Sequence, residues 1–163
     1  MTQDENNAEA LTIGVLSDTH GLLRPAAIAA LAGSRTILHA GDVGRTEILR
    51  QLQLLAPLIA IRGNVDTGPN WASLLPETST VEIGGIRIHL VHDRRDLSLE
   101  PAAAGIRVVI SGHSHQPSIE ESAGVLYLNP GSAGPRRFRL PITLAKLHLH
   151  GGRVEAELVE LEV

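Results

Sequence analysis

Five short apolar runs in this chain each stop against a residue whose side chain can bind a metal ion. Leu11 to Leu16 runs into Ser17-Asp18-Thr19-His20, Thr36 to Ala40 into Gly41-Asp42, and Leu58 to Ile61 into Arg62-Gly63-Asn64. Ile86 to Val91 runs into His92, and Val108 to Ile110 into Ser111-Gly112-His113-Ser114-His115. Apolar runs this short suit buried strands. Ahead of Asp42, Asn64 and His113 stands a glycine, which lets the backbone turn sharply as a strand ends. In open α/β sheets the carboxyl ends of the strands border the crevice where ligands bind. The pattern therefore predicts a sheet protein whose strand tips deliver carboxylate, carboxamide and imidazole groups to one rim.

The intervening segments supply the rest of the fold. Pro25 suits a first helical turn, an Ala/Leu/Ile run follows, and Gly33 suits the stop. Thr46 to Ala56 is helical by composition and is halted by Pro57. This strand–helix alternation implies a right-handed, partly parallel sheet at the start. The second half is richer in strands. Thr80 to Ile83 and Ile86 to Val91 flank Gly84-Gly85, which reads as a tight hairpin. Asp96 to Ala104 reads as a short helix, Val125 to Leu128 as a strand ending at Asn129-Pro130-Gly131-Ser132, and Ile142 to Leu149 with Arg153 to Leu161 as a closing hairpin.

Composition narrows the function. A chain of 163 residues supports one core, so residues 11–163 read as a single domain behind a polar, frayed tail at Met1 to Ala10. That tail is unlike a secretory signal, and no apolar run approaches the roughly 18–20 residues needed to cross a bilayer. The expectation is a cytoplasmic protein without membrane contact. The chain has no Cys, which removes disulfides, thiolate metal sites and a thiol nucleophile. A formal charge of −4 and only Trp71, Tyr127 and Phe138 as aromatics argue against generic nucleic-acid binding. A small phosphorylated substrate could still meet local basic clusters.

The donor types select the chemistry. Carboxylate, carboxamide oxygen and imidazole suit Mn, Fe, Zn, Ni or Co, and the lack of thiolate argues against a closed structural zinc site. Four His and two Asp exceed what one tetrahedral ion needs but suit two ions sharing a carboxylate. Such a pair clamps the attacking and leaving oxygens of an in-line displacement and lowers the pKa of a bound water.

The series Asp18-x-His20, Gly41-Asp42, Gly63-Asn64-x-Asp66, His92 and Gly112-His113-x-His115 resembles the calcineurin-like metallophosphoesterase superfamily. The length and the Asn129-Pro130-Gly131-Ser132 segment resemble its small YfcE-type phosphodiesterases. The resemblance implies an α/β fold, a four-layer αββα sandwich of two mixed β-sheets flanked by helices. It also implies two divalent metal ions, with manganese first and Ni, Co, Zn or Fe as alternatives. Carried over by motif, Asp18, His20 and His115 would hold one ion, Asn64, His92 and His113 the other, and Asp42 would bridge both. The implied activity is hydrolysis of a phosphate ester, most simply a diester, by a metal-bridging hydroxide, with Asp42 and Asn64 as catalytic groups. Asn64 would also donate its amide N–H to the substrate phosphate, and Asp66 would orient a neighbouring His. A phosphomonoesterase is the alternative enzyme. A eukaryotic retromer subunit resembling this fold serves as a protein-binding scaffold, so a non-catalytic role is the third reading. Relatives of this size often form dimers or larger assemblies, which implies a homo-oligomer.

Two positions depart from the family pattern. Many relatives carry His-Gly-His around the fourth tip, whereas this chain has His92-Asp93-Arg94. Phosphatase-like relatives often have His within the Gly-Asn-x-Asp segment, where this chain has Val65. Arg94 and Arg95 are candidates for substrate phosphate or for surface salt bridges. Arg136, Arg137 and Arg139 either line the crevice or solvate a loop, and Trp71 either walls the pocket or plugs the core. His39 and His89 read as core or supporting residues. His148 and His150 repeat the His-x-His spacing without a preceding glycine and are not read as ligands.

Overall fold

The computed structural model describes residues 10–163. The tail expected over Met1 to Ala10 therefore lies, except for Ala10, outside the described residues. The strands are β1 (Leu11–Leu16), β2 (Thr36–His39), β3 (Leu58–Ala60), β4 (Thr78–Ile83), β5 (Ile86–Val91), β6 (Val108–Ile110), β7 (Ser118–Ser122), β8 (Val125–Asn129), β9 (Thr143–His150) and β10 (Arg153–Glu160). Two helices, α1 (Pro25–Leu31) and α2 (Thr46–Gln53), connect the first three strands.

The strands form two mixed sheets of five, in the orders β10-β9-β1-β2-β3 and β4-β5-β6-β8-β7. β1, β2 and β3 run parallel, as do β5, β6 and β8, so their carboxyl ends emerge together. The sheets pack face to face through Ile13, Val15, Leu38, Ile88, Ile110 and Leu147, all buried with almost no aromatic help. Branched aliphatics suit a pleated surface, so this core needs no large rings. On the outer face of the first sheet, Leu31 of α1 and Ile48 and Leu52 of α2 pack against Leu16 and Ile37. Gly14 makes this closeness possible, since a Cβ there would overlap Leu31 and stand 2.9 Å from the Ser34 hydroxyl.

The sandwich of two mixed sheets is thus present, with helices on the first sheet and an uneven outer layer. The second sheet is covered by Leu97, Leu99 and Ile106 rather than by an α-helix. The helix expected over Asp96 to Ala104 is not formed; a 3-10 turn at Arg94–Asp96 and a turn at 101–105 replace it. Pro101 explains the correction, because it lacks an N–H and drives the preceding residue away from helical backbone. The hairpin at Gly84-Gly85 forms with both residues at positive φ, 58° and 79°. Strand β7 has no counterpart in the sequence reading. It is a polar edge strand, Ser-Ile-Glu-Glu-Ser, largely exposed and so without apolar alternation to reveal it.

Candidate metal centre

The parallel strands release their tips at one rim, and the predicted donors meet there in two groups. Asp18, His20 and His115 form one triad, and Asp42, His92 and His113 the other, with ligand atoms inside each group within 4.8 Å of one another. The two groups touch. Asp42 Oδ2 lies 3.2 Å from His92 Nε2 and 3.6 Å from His20 Nε2, so its carboxylate stands between the triads. Asp18 Oδ1 lies 3.4 Å from His115 Nε2, 3.7 Å from His20 Nε2 and 3.9 Å from His92 Nε2. Asn64 lies on the exposed rim of a cavity of about 460 Å³ that it shares with Gly63, His92 and Asp93.

Each carboxylate is held by one oxygen and offers the other. Asp18 Oδ2 accepts from Ser17 Oγ at 2.6 Å and the His113 amide at 3.1 Å, which leaves Oδ1 facing the imidazoles. Asp42 Oδ1 accepts from the Val65 amide at 3.0 Å, which leaves Oδ2 facing them. His92 Nδ1 lies 2.7 Å from the Ala40 carbonyl. A carbonyl only accepts, so Nδ1 carries the proton and Nε2 keeps its lone pair for the centre.

The backbone is bent to suit. Outside glycine, positive φ occurs among the described residues at Asp18, His20, Asp42, His113, His115, Ala123 and Phe138. Five of these seven belong to the two triads. Left-handed backbone costs an L-residue about 1–2 kcal/mol, and strain of this kind gathers at functional sites. Gly63 and Gly112 leave room for the carboxylates. A Cβ at Gly63 would overlap Asp42, and one at Gly112 would overlap Ser17 and stand 2.5 Å from Asp18 Oδ2.

Electrostatics shows which charge the site favours. Burial would raise the Asp18 carboxyl, but the contacts of His115, His20 and Ser17 and the field of His92 hold it far below the carboxylate range. Burial also opposes a charged His92, yet the Asp42 contact, the Ala40 carbonyl and the field of Asp18 lift it to about 9. His20 is raised chiefly by its contact with Asp18, while burial and the charge of Arg137 act against it. The site therefore attracts positive charge strongly. Asp18 Oδ1, His20 Nε2, His92 Nε2 and both ring nitrogens of His115 are buried without a hydrogen-bond partner. Unpartnered buried polar atoms are rare in folded proteins, and Asp18 Oδ1 and the Nε2 atoms of His20, His92 and His115 face one another here. Divalent cations fit them.

Other expected residues fall into supporting places. Asp66 does not orient a histidine. Its buried carboxylate accepts from the amides of Val43, Gly44 and Gly63 at 2.9–3.0 Å, tying the Asp42 tip to the Asn64 tip. An aspartate three residues after a glycine amide suits such a turn, and the folded loops bring the other two donors to it. Arg94 meets Glu120 at 2.7 Å and its guanidinium lies 4.1 Å above the Tyr127 ring, which makes it a surface pair rather than a free phosphate ligand. Arg95 pairs with Asp93, whose carboxyl that contact lowers to about 2. His39 is core: the Gly41 amide donates to its Nδ1 at 3.1 Å, so Nε2 donates to Thr19 Oγ1 at 3.0 Å. His89 bonds Thr80, and His148 bonds Thr12 and Glu157, away from the centre. Trp71 is partly buried and packs against the apolar cluster of α1 and α2 rather than standing free.

Sequence reasoning missed three positioning groups. Asn129 donates to the Gly112 carbonyl at 3.0 Å and to Ser114 Oγ at 3.1 Å, steadying the loop that carries His113 and His115. Ser132 Oγ donates to the Asp18 carbonyl at 3.0 Å. Asp93 Oδ2 comes within 3.6 Å of His113 Nε2. The Asn-Pro-Gly-Ser run was the available signal for the first two, since Asn and Ser bond to backbone in turns.

Residues 11–152 match the calcineurin-like phosphoesterase superfamily domain, and the chain belongs to that family. It is 34% identical over 161 residues to a probable metallophosphoesterase of Methanothermobacter thermautotrophicus, covering 91% of this chain and 92% of the relative. The solved structure of a novel archaeal phosphodiesterase superposes with a TM-score of 0.75 at 25% identity, over 91% of this chain and all of the other. Vacuolar protein sorting 29 from Cryptosporidium parvum shares the fold, with a TM-score of 0.75 at 19% identity over 94% of this chain and 99% of that one. The protein is thus a metal-dependent phosphoesterase by family. No described helix is long and apolar enough to cross a membrane.

Proposed function

We propose that the protein is a dinuclear phosphodiesterase acting on a small phosphorylated substrate. Asp18, His20 and His115 would hold one divalent ion and Asn64, His92 and His113 the other, with Asp42 standing between the two groups and available to both. The observation that carries this reading is the convergence of unpartnered buried donor atoms from both triads. Bound there, a pair of ions activates water and neutralises phosphate charge.

The protein's own groups do the rest. Asp42 Oδ2 faces both triads, while the Val65 amide fixes its other oxygen, so the carboxylate cannot swing away. The Ala40 carbonyl keeps the His92 proton on Nδ1 and its lone pair inward. Asn64, on the exposed rim, is free to donate its amide N–H to a phosphoryl oxygen. Val65 supplies no proton to a leaving group, which favours esters with good leaving groups and a diester over a monoester. Manganese is the first metal to try, because oxygen and nitrogen donors without thiolate suit it.

Bis-p-nitrophenyl phosphate and p-nitrophenyl phosphate, assayed with Mn, Ni, Co and Zn, test the proposal. The diester is expected to be the better substrate, and Asp42→Ala is expected to abolish turnover while the protein still melts cooperatively. A folded wild-type protein that hydrolyses neither ester with any of these metals would refute catalysis and favour a scaffold role of the kind the shared fold permits.

A further inference from the structure

We propose that Phe138, flanked by Arg137 and Arg139, is the subsite for a flat aromatic group on the non-reacting arm of the phosphodiester. The best fit is the base of a nucleoside ester. This rests on the phosphodiesterase reading and specifies its substrate.

Phe138 is 88% exposed, whereas Trp71 is partly buried against the apolar core and the Tyr127 ring lies under Arg94. It is therefore the aromatic of this chain left free to stack. Its φ is 54°, a region that bulky residues rarely adopt, so the backbone here is strained. Among the described non-glycine residues, that conformation is otherwise confined to the triads and to Ala123 in the β7–β8 turn.

The loop is tied to the metal centre. Ser132 Oγ donates to the Asp18 carbonyl at 3.0 Å, and Arg24 Nε donates to the Gly134 carbonyl at 3.0 Å. Gly134 lies so close to β1's tip that a Cβ there would overlap Thr19 and stand 2.8 Å from the Asp18 carbonyl. From this clamped base, residues 137–140 form one wall of a shallow groove of about 660 Å³ whose other wall is Ser114 and Gln116. Ser114 stands between His113 and His115. A molecule with its phosphate at the centre can therefore lay its other arm along Phe138.

Charge defines the occupant. The chain carries −4 overall, yet Arg136, Arg137 and Arg139 gather at this loop. Arg136 donates to the Leu140 carbonyl at 3.0 Å, while Arg137 and Arg139 form no ion pair among the described residues. Two free guanidinium groups beside an exposed ring suit an anionic ester with an aromatic face, because a base stacks on an aromatic side chain whatever its sequence. The acidic remainder of the molecule argues against a long polynucleotide.

The test compares two esters that lose the same group. Thymidine 5′-(p-nitrophenyl phosphate) and methyl p-nitrophenyl phosphate both release p-nitrophenolate as water oxygen bonds to phosphorus, so they differ in the retained arm. With the manganese-loaded protein, kcat/KM is expected to be about tenfold higher for the thymidine ester, through KM. Phe138→Ala is expected to erase that ratio and Phe138→Tyr to keep it. Independently of turnover, the fluorescence of the Phe138→Trp variant is expected to be quenched by adenosine 5′-monophosphate and not by ribose 5-phosphate. Equal kcat/KM for the two esters in the wild type would overturn the proposal. So would a ratio unchanged by Phe138→Ala while sedimentation mass falls, which would assign the ring to a contact between copies. If neither ester is hydrolysed with any metal, the phosphodiesterase reading fails, and the quenching measurement still decides whether this ring binds a base.

Discussion

Gly63→Ala tests the site most directly, because the substitution changes one methyl group and no donor atom. Gly63 does not have a positive φ, so alanine carries no conformational penalty there. Its Cβ would nevertheless stand 2.9 Å from Asp42 Cγ, where ordinary contacts begin at 3.4 Å, and closer still to Oδ1 and the backbone nitrogen. The carboxylate carbon must retreat by at least about 0.5 Å, the oxygen by more, and the Val65 amide bond to Oδ1 is disturbed. Overpacking usually costs about 1–3 kcal/mol and more where, as here, the tightest contact is with backbone, so Tm is expected to fall by several degrees or more. Misplacing a catalytic group by about 1 Å costs on the order of 10²-fold in rate. The expected result is kcat/KM for bis-p-nitrophenyl phosphate reduced by about 10²-fold, together with partial loss of bound metal. Gly85→Ala is the control. It meets nothing within 4 Å but has φ 79°, so it costs a few degrees of Tm through strain alone and should keep full activity. A Gly63→Ala protein with two bound ions and kcat/KM within about threefold of wild type would refute the reasoning.

Three other outcomes follow from the same geometry. Asp66→Ala removes the acceptor of three backbone amides and should destabilise the protein by about 2–4 kcal/mol in a denaturant titration, with activity lost as the Asp42 and Asn64 tips separate. His39 is held neutral by burial, with its pKa lowered to about 4, so the stability it lends is complete above about pH 6.5. That contribution falls as pH drops towards 4, and His39→Gln should flatten this part of the stability–pH curve by about 3 kcal/mol relative to wild type. His92, raised to about 9 in the metal-free protein, must give up a proton to ligate. Metal affinity should therefore weaken as pH falls below about 9, and calorimetric titrations in buffers of different ionisation enthalpy should show proton release on binding.

The strand tips were legible because two independent signals coincided at each of them. An apolar run fixed where a strand ended, and a glycine or ligand-type residue marked what it delivered. Asp18, His20, His115, Asp42, His92 and His113 meet for that reason. The supporting groups were harder to read, since their partners lie far away in sequence. Asp66 reaches Val43 and Gly44, more than twenty residues earlier, and Ser132 reaches Asp18, 114 residues away. Strand β7 escaped notice because an edge strand facing water needs no apolar alternation. No helix forms over Asp96 to Ala104, because Pro101 interrupts the segment in spite of the alanines that follow it.

The bent backbone at the two triads has a consequence for how the fold and its chemistry trade against each other. Asp18, His20, Asp42, His113 and His115 occupy conformations that glycine adopts freely. Replacing some of them with glycine would therefore give an inert chain that outlasts its parent on heating in chelator. In this molecule, durability and chemical capability pull on the same five residues in opposite directions.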